Sequence, residues 1–256
     1  MFKKIRKSIE EHRSSNEFKW KFLVFLKDFG WAFCAPIEVI YSFKRNLLLK
    51  KLIKDKRILI VGSGPSAEKL GEIPNDVRVF TCKSGLRLFV DKNFERQIDL
   101  YLAYKSAMER SYEFLREFLQ KTKTKIFMID DLGYIKEKKE LEGFYLKLLW
   151  DTGRNNYYLE RLIKPYKIRQ IKGKSLPRTS SGIRLLQYAL FFGAREIYLI
   201  GIDISEKGYF WGTKNAHFHL DIDRNFIKIV SKKYNNIYSL SKKSPITKYI
   251  KYKNLR

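Results

Sequence analysis

Cysteine and histidine, the residues of disulfides and of zinc-type sites, are scarce in this sequence. Two cysteines, Cys34 and Cys82, and three histidines, His12, His217 and His219, are spread over 256 residues. No zinc-type spacing or disulfide framework can be assembled from them, and the cysteines read as two reduced core thiols. Long apolar runs are missing as well. The most apolar early stretch, Phe22 to Phe43, is interrupted by Lys27, Asp28, Pro36 and Glu38. A bilayer span needs about 20 predominantly apolar residues, so this stretch is expected not to cross a membrane. No cleavable signal peptide is read at the basic N-terminus. There is no internal repeat and no low-complexity segment.

Acidic residues are also scarce relative to basic ones. The 27 Asp and Glu stand against 53 Lys and Arg, a formal net charge of +26. Such an excess calls for a polyanionic partner: nucleic acid, an anionic membrane surface or an acidic glycolipid. With 45% hydrophobic and 15% aromatic residues the chain can bury a core, and its length fits one large domain, or a domain plus an attachment segment. Residues 1–56 have their own character. Lys3, Lys4, Arg6, Lys7, Lys19, Lys21 and Lys27 interleave with Phe18, Trp20, Phe22, Phe25, Phe29, Trp31 and Phe33. This basic, aromatic pattern suits helices lying in a membrane interface, or helices packed on the next domain with solvated lysines.

From residue 57 onward strands alternate with helices. Short β-rich runs are read at Ile58–Val61, Arg78–Cys82, Asp99–Ala103, Lys125–Ile129, Glu196–Ile200 and Ile237–Leu240. Helical patterns are read at 106–121, from Ser181 to a stop at Gly193, and at about 221–233. The alternation predicts an α/β domain over 57–256 with a mostly parallel sheet and a Rossmann-like nucleotide-binding crevice, preceded by a helical N-terminal segment. Residues 133–172 are charged and tyrosine-rich without clear periodicity, and read as a helical lid.

Three motifs carry chemistry. The first is Gly62-Ser63-Gly64-Pro65-Ser66, directly after the first strand, with a helix expected from Ala67. Glycines there permit close backbone approach, a helix start attracts phosphate, and the serines add hydroxyls. Ala67 stands where a dinucleotide site has its third glycine. The second strand ends in Thr81-Cys82-Lys83, without the carboxylate that holds the ribose of NAD, although Lys83 leaves room for a phosphorylated ribose. The second motif is Arg178-Thr-Ser180-Ser181-Gly182, a helix start with good capping residues and space for a ligand. The third is Glu196-Ile-Tyr-Leu-Ile-Gly-Ile-Asp203, whose carboxylate lies just past the C-terminal end of a strand, where open α/β sheets bind ligands.

Together and in this order, these pieces resemble the bacterial sialyltransferases of glycosyltransferase family 42. That family carries a G-[NS]-G-P-S turn, a T-S-G or S-S-G helix start and a [KR]-E-I-Y-L-x-G-I-D strand. Here they are Gly62 to Ser66, Ser180-Ser181-Gly182 and Arg195 to Asp203. The resemblance covers roughly residues 57 to 245, and related transferases of other ulosonic acids, such as Kdo enzymes of the lipopolysaccharide core, look similar in the same places. It implies a GT-A-like variant of the α/β fold and inverting transfer of an acidic sugar from its CMP-activated donor to a glycan hydroxyl. It also implies donor contacts from Gly62, Ser63, Gly64, Pro65, Ser66, Ser180, Ser181, Gly182 and Asp203. The family uses no metal, and the sequence is read as offering no paired-carboxylate D-x-D motif; no cofactor is expected beside the donor substrate.

A histidine downstream of the G-I-D strand is the general base in that family. The resemblance and the spacing to the last helix favour His217 for that role, whereas His219 faces the opposite way if the segment is extended. The family's asparagines after the second and third strands are replaced by Lys83 and by Ala103-Tyr104-Lys105. Lys83 and Lys105 are read as candidates for the donor's phosphate or carboxylate. The family's donor-binding tyrosine beside G-I-D is replaced by Ser205, with Tyr209 supplying a phenol nearby. The expected partners are a CMP-activated nine- or eight-carbon acidic sugar, a glycolipid acceptor and the anionic inner face of the cytoplasmic membrane. The chain is expected to lie there as a peripheral protein, and a homo-oligomer is compatible with it. A nucleic-acid-binding protein and an NADP-dependent reductase are the rival readings; no nucleic acid is expected as partner.

Overall fold

The computed structural model describes residues 47–92, 97–103, 121–129, 147–150, 179–205, 207–210, 212 and 219–255. The chain divides into two compact units, residues 1–47 and 48–256, and the sheet belongs to the second. Eight strands form it: β1 (Arg57–Val61), β2 (Val77–Cys82), β3 (Leu100–Ala103), β4 (Ile126–Ile129), β5 (Lys147–Trp150), β6 (Glu196–Ile200), β7 (Ile237–Ser239) and β8 (Lys251–Tyr252). Their order is β5-β4-β3-β2-β1-β6-β7-β8, and every neighbouring pair is parallel. The chain therefore builds outward from β1 in one direction, returns at β6 and builds outward in the other. The order reverses between β1 and β6, which are paired from Arg57↔Glu196 to Val61↔Ile200. In open parallel sheets that reversal leaves a crevice at the strands' C-terminal ends.

The period-two alternation of strand side chains divides the core into two layers. Ile58, Ile60, Phe80, Leu100, Leu102, Ile197 and Leu199 face one layer. Against them pack helices α2 (Ser181–Phe191) and α3 (Leu220–Lys233) and two residues of a helical stretch ending at 53, Leu49 and Ile53. Leu59, Val61, Val77, Val79, Tyr101, Tyr198 and Ile200 face the other layer, with Leu70, Ile73 and residues of helix α1 (Leu86–Asp91). Strands buried on both faces read as continuous apolar runs, the signature found at Ile58–Val61 and Ile197–Ile200.

The α/β class and the parallel sheet are as expected, and the predicted strands agree with the observed ones to within about a residue. The region after Pro65 differs. In place of a helix there is one 3-10 turn, Pro65–Lys69, whose chain is extended again at Leu70. Helix α1 was not foreseen, β5 lies inside the stretch read as a lid, and β8 lies inside the basic tail. The expected helix 106–121, apart from its last residue, and most of 133–172 lie outside the described residues, as do residues 1–46.

Candidate active site

The three motifs converge at the C-terminal ends of β1, β2 and β6. The turn after β1 and the turn after β6 lie backbone against backbone. Gly62 N–H donates to Ile200 O at 2.8 Å and Gly64 N–H to Gly201 O at 2.7 Å. A Cβ on Gly62 would meet Gly201 O at 2.3 Å, and one on Gly201 would meet Gly62 O at 2.4 Å. Both positions are glycine because each turn occupies the other's side-chain space.

Ser66 and Asp203 lock the two turns together. Ser66 N–H donates to Asp203 Oδ2 at 2.8 Å, and Ser66 Oγ accepts from Gly201 N–H at 2.8 Å. The other carboxylate oxygen, Oδ1, accepts from the hydroxyl of Ser244, which lies beyond β7. Asp203 is buried, and it ties the ends of β1, β6 and β7 together. Ala67 N–H bonds to Gly64 O at 2.9 Å. The amides of Gly62, Gly64, Ser66 and Ala67 are thus all engaged inside the protein. A 3-10 turn with its amides engaged is not the phosphate-binding helix start expected at this turn.

Donors for an anion are found instead at α2. Its first-turn N–H groups have no intrahelical acceptor, as at any helix start. Ser180 is the N-cap, and its Oγ accepts from Ile183 N–H at 3.5 Å. The amides of Ser181 and Gly182 have no acceptor among the described residues, and Ser181 Oγ is buried without a hydrogen-bond partner. A buried hydroxyl donor beside two open amides at the positive end of an eleven-residue helix suits an anionic acceptor group. Gly182 fixes where this helix begins: a Cβ there would lie 3.0 Å from Ile202 Cδ1 and 3.9 Å from Cys82 Sγ. The S-S-G start is therefore packed on the G-I-D turn and on the end of β2.

Lys83 comes directly after β2 in a left-handed conformation, φ +45°, and its carbonyl accepts from Tyr101 Oη at 3.2 Å. Ile204, next to Asp203, has φ +48°. A β-branched residue there is strained, and such strain gathers where function over-determines the backbone. The segment 207–210 folds back on the first turn through Phe210 N–H to Ser63 O at 2.9 Å, which brings half-buried Tyr209 beside that turn. Burial raises the Tyr209 phenol above its usual range. Burial also pushes the Cys82 thiol up to about 12, so this group is not a thiolate nucleophile.

Sequence reasoning missed Asp223. It lies in the first turn of α3, buried, and its Oδ1 accepts from Ser180 N–H at 2.9 Å. Burial raises its pKa to about 6, against the opposing effects of the Ser180 bond and of Lys83. Contrary to the expectation of no D-x-D motif, Asp221-Ile222-Asp223 has that spacing, but the two carboxylates diverge. Asp221 is exposed and pairs with Arg224 at 3.0 Å, while Asp223 turns inward. No cluster of three or more metal-ligating side chains occurs among the described residues. An acid in a first helical turn reads as a dipole partner, so nothing in the sequence pointed Asp223 at another helix's cap. Ser244 carried no signal either.

The structure thus brings Gly62, Ser63, Gly64, Pro65, Ser66, Ser180, Ser181, Gly182 and Asp203 together at the C-terminal ends of β1, β2 and β6, with Tyr209 next to Phe210, which bonds to Ser63, and Lys83 at the end of β2. His219 caps α3. His217 and Lys105 lie outside the described residues.

No family model and no curated protein matches the chain. Solved structures share its fold. The sialyltransferase CstII from Campylobacter jejuni, in complex with the substrate analogue cytidine-5'-monophosphate, superimposes with a TM-score of 0.56. The two are 21% identical, over 79% of this chain and 87% of that one. The monofunctional alpha-2,3-sialyltransferase Cst-I from the same organism gives a TM-score of 0.54 at 16% identity, over 79% and 82%. An alpha-2,3-sialyltransferase from Campylobacter jejuni in apo form gives 0.53 at 19% identity, over 79% and 82%. At these identities the likeness is one of fold.

Proposed function

We propose that this chain is an inverting glycosyltransferase that moves a sialic acid, or a related ulosonic acid such as Kdo, from its CMP-activated donor to a hydroxyl of a cell-surface glycolipid. The observation that carries the reading is the orphaned Ser181 hydroxyl with two open amides at the start of α2, packed against the Gly-Ile-Asp turn of β6. The shared fold of a CMP-bound sialyltransferase supports it.

In this reading the start of α2 receives an anionic group of the donor, either its phosphate or its sugar carboxylate. Asp203 does not face the ligand as a charge; it holds the two turns in register. Lys83 and Tyr209 flank the donor. The bond between the sugar's anomeric carbon and the phosphate oxygen breaks, and CMP departs with the electron pair. The acceptor hydroxyl oxygen attacks the same carbon from the opposite face, and His217 takes its proton. Amide dipoles stabilise the charge that develops on the leaving phosphate. A nucleoside monophosphate leaving group has no diphosphate for a divalent ion to bridge, so neither a metal nor a cofactor is assigned. The enzyme works as a peripheral protein on the inner face of the cytoplasmic membrane.

The test is release of CMP from a panel of CMP-sialic acid and CMP-Kdo, with UDP-glucose as control and a lipooligosaccharide acceptor present. Turnover of one CMP-ulosonate, and its loss in His217→Ala with CMP affinity kept, is the expected result. Calorimetric binding of NADP with no binding of CMP overturns the reading.

A further inference from the structure

We propose that the outer edge of the sheet, formed by α3, the turn Pro245–Lys248 and β8, is the face that docks on an anionic lipid bilayer. This rests on and deepens the membrane-face part of the proposed function, and is independent of which sugar is transferred. The basic excess is not spread evenly over the chain. Residues 57–103 hold seven Lys and Arg against six Asp and Glu, and residues 179–223 hold four against five. Residues 224–256 hold ten Lys and Arg and no acidic residue at all. The ends of β1, β2 and β6 thus belong to near-neutral stretches, and the positive charge of the second sheet half is concentrated beyond them.

The fold collects these cations at one end. Phe226, Ile227 and Val230 of α3 pack into the same core layer as Ile237 of β7, Ile246 of the turn and Ile250, the residue directly ahead of β8. Lys228 and Lys232, four apart on the opposite face of α3, are exposed, as is Arg224 one turn earlier, whose charge is paired with Asp221 at 3.0 Å. Lys248 and Lys251 are exposed on the turn and on the outermost strand, and Tyr252 beside them is 37% exposed. Lys242 sits 5.0 Å from the Tyr252 ring centre. An exposed tyrosine among lysines suits the headgroup layer, where an aromatic ring with a polar tip is at home.

Lysines on an edge strand also discourage strand-to-strand aggregation, but that role does not call for a matching stripe on a helix. The strip is mostly lysine, a hydrated point charge suited to a diffuse lipid surface, whereas phosphate-by-phosphate readout of nucleic acid favours arginine forks. Each basic residue held within about 10 Å of an anionic leaflet raises partitioning by roughly fivefold.

Sedimentation of the full chain with phosphatidylcholine vesicles, with or without phosphatidylglycerol, at about 0.1 M salt tests this. Wild type is expected to bind only the anionic vesicles. The variant with Lys228, Lys232, Lys248 and Lys251 all changed to Gln is expected to lose at least tenfold. A matched variant on the other half of the sheet, with Lys69, Lys92, Lys121 and Lys123 changed to Gln, removes the same charge and is expected to lose less than threefold. Changing the first four to Arg instead retains binding and controls for folding. Equal losses in the two Gln variants mean that net charge alone drives adsorption, and the proposal fails. It fails too if homopolymer RNA binds more tightly than the anionic vesicles at the same salt. CMP release by the first Gln variant is read separately, so a failed donor assignment and a failed docking face are distinguishable.

Discussion

Burial keeps a proton on the Asp223 carboxyl up to about pH 6, although the Ser180 amide and Lys83 both favour the charged form. The groups around it are the Ser180 cap of α2, Lys83 and Cys82 at the end of β2, and His219 at the start of its own helix. The direction of the pH effect comes from linkage. Between about pH 4 and 6 the folded protein holds this proton and the unfolded chain releases it, so stability falls as pH rises through that window. Above it the folded state carries a penalty on the order of 2–3 kcal/mol from this group. Asp223→Asn keeps an acceptor for Ser180 N–H and removes the ionisation. It should raise the melting temperature by a few degrees at about pH 8 and leave it nearly unchanged at about pH 3, below both titrations. A variant less stable than wild type at pH 8 shows that the carboxylate's bond to Ser180 outweighs its burial.

At the scale of elements, the two turns after β1 and β6 are a single unit, and Gly201 is its tightest point. It has φ +68°, and a Cβ there would meet Gly62 O at 2.4 Å and Ala67 Cβ at 2.8 Å. Gly193, which ends α2 with φ +73°, has open space where its Cβ would go. Gly193→Ala thus carries only the left-handed backbone cost, about 1–2 kcal/mol, whereas Gly201→Ala must also separate two strand ends and should cost about 4 kcal/mol or more. Denaturant unfolding of the two variants side by side checks this; equal losses refute the steric account. The same turn shows what was legible beforehand. Buried strands announce themselves by apolar runs, and Gly193 announces a helix end by its conformation. Strand β5 and edge strand β8 are short and carry lysines at Lys147 and Lys251, so their sequences resemble loop and tail. The 3-10 turn at Pro65 escaped because a helix and a single turn share the same opening residues; Ser66 and Asp203 decide between them, 137 positions apart. Long-range hydrogen bonds of this kind leave no local periodicity.

Over the whole molecule the two ends of the parallel strands do different work. At the N-terminal end Arg57 is a clamp. Its guanidinium reaches Asp76 at 3.0 Å, the Leu255 carbonyl at 2.6 Å and Glu196 at 3.4 Å, and Lys253 closes on the same Glu196. This holds the chain end against β1 and β6, and the Arg57 side chain is only 12% exposed. At the C-terminal end the constraint is reversed: Ser181 Oγ is buried with no hydrogen-bond partner among the described residues, an arrangement that weakens the fold. Arg57→Ala strips a partner from the half-buried Glu196 carboxylate and from the Leu255 carbonyl, and should cost about 2–4 kcal/mol, with CMP affinity unchanged well below the melting point. Ser181→Ala removes an unsatisfied hydroxyl and should leave stability equal or up to about 1 kcal/mol higher, while weakening the CMP-sugar donor at least tenfold. Thermal melts and calorimetry on the two variants measure both effects. A Ser181→Ala protein that binds the donor as wild type does would mean that the orphaned hydroxyl serves no ligand, and that the crevice is not where the donor's acidic group sits.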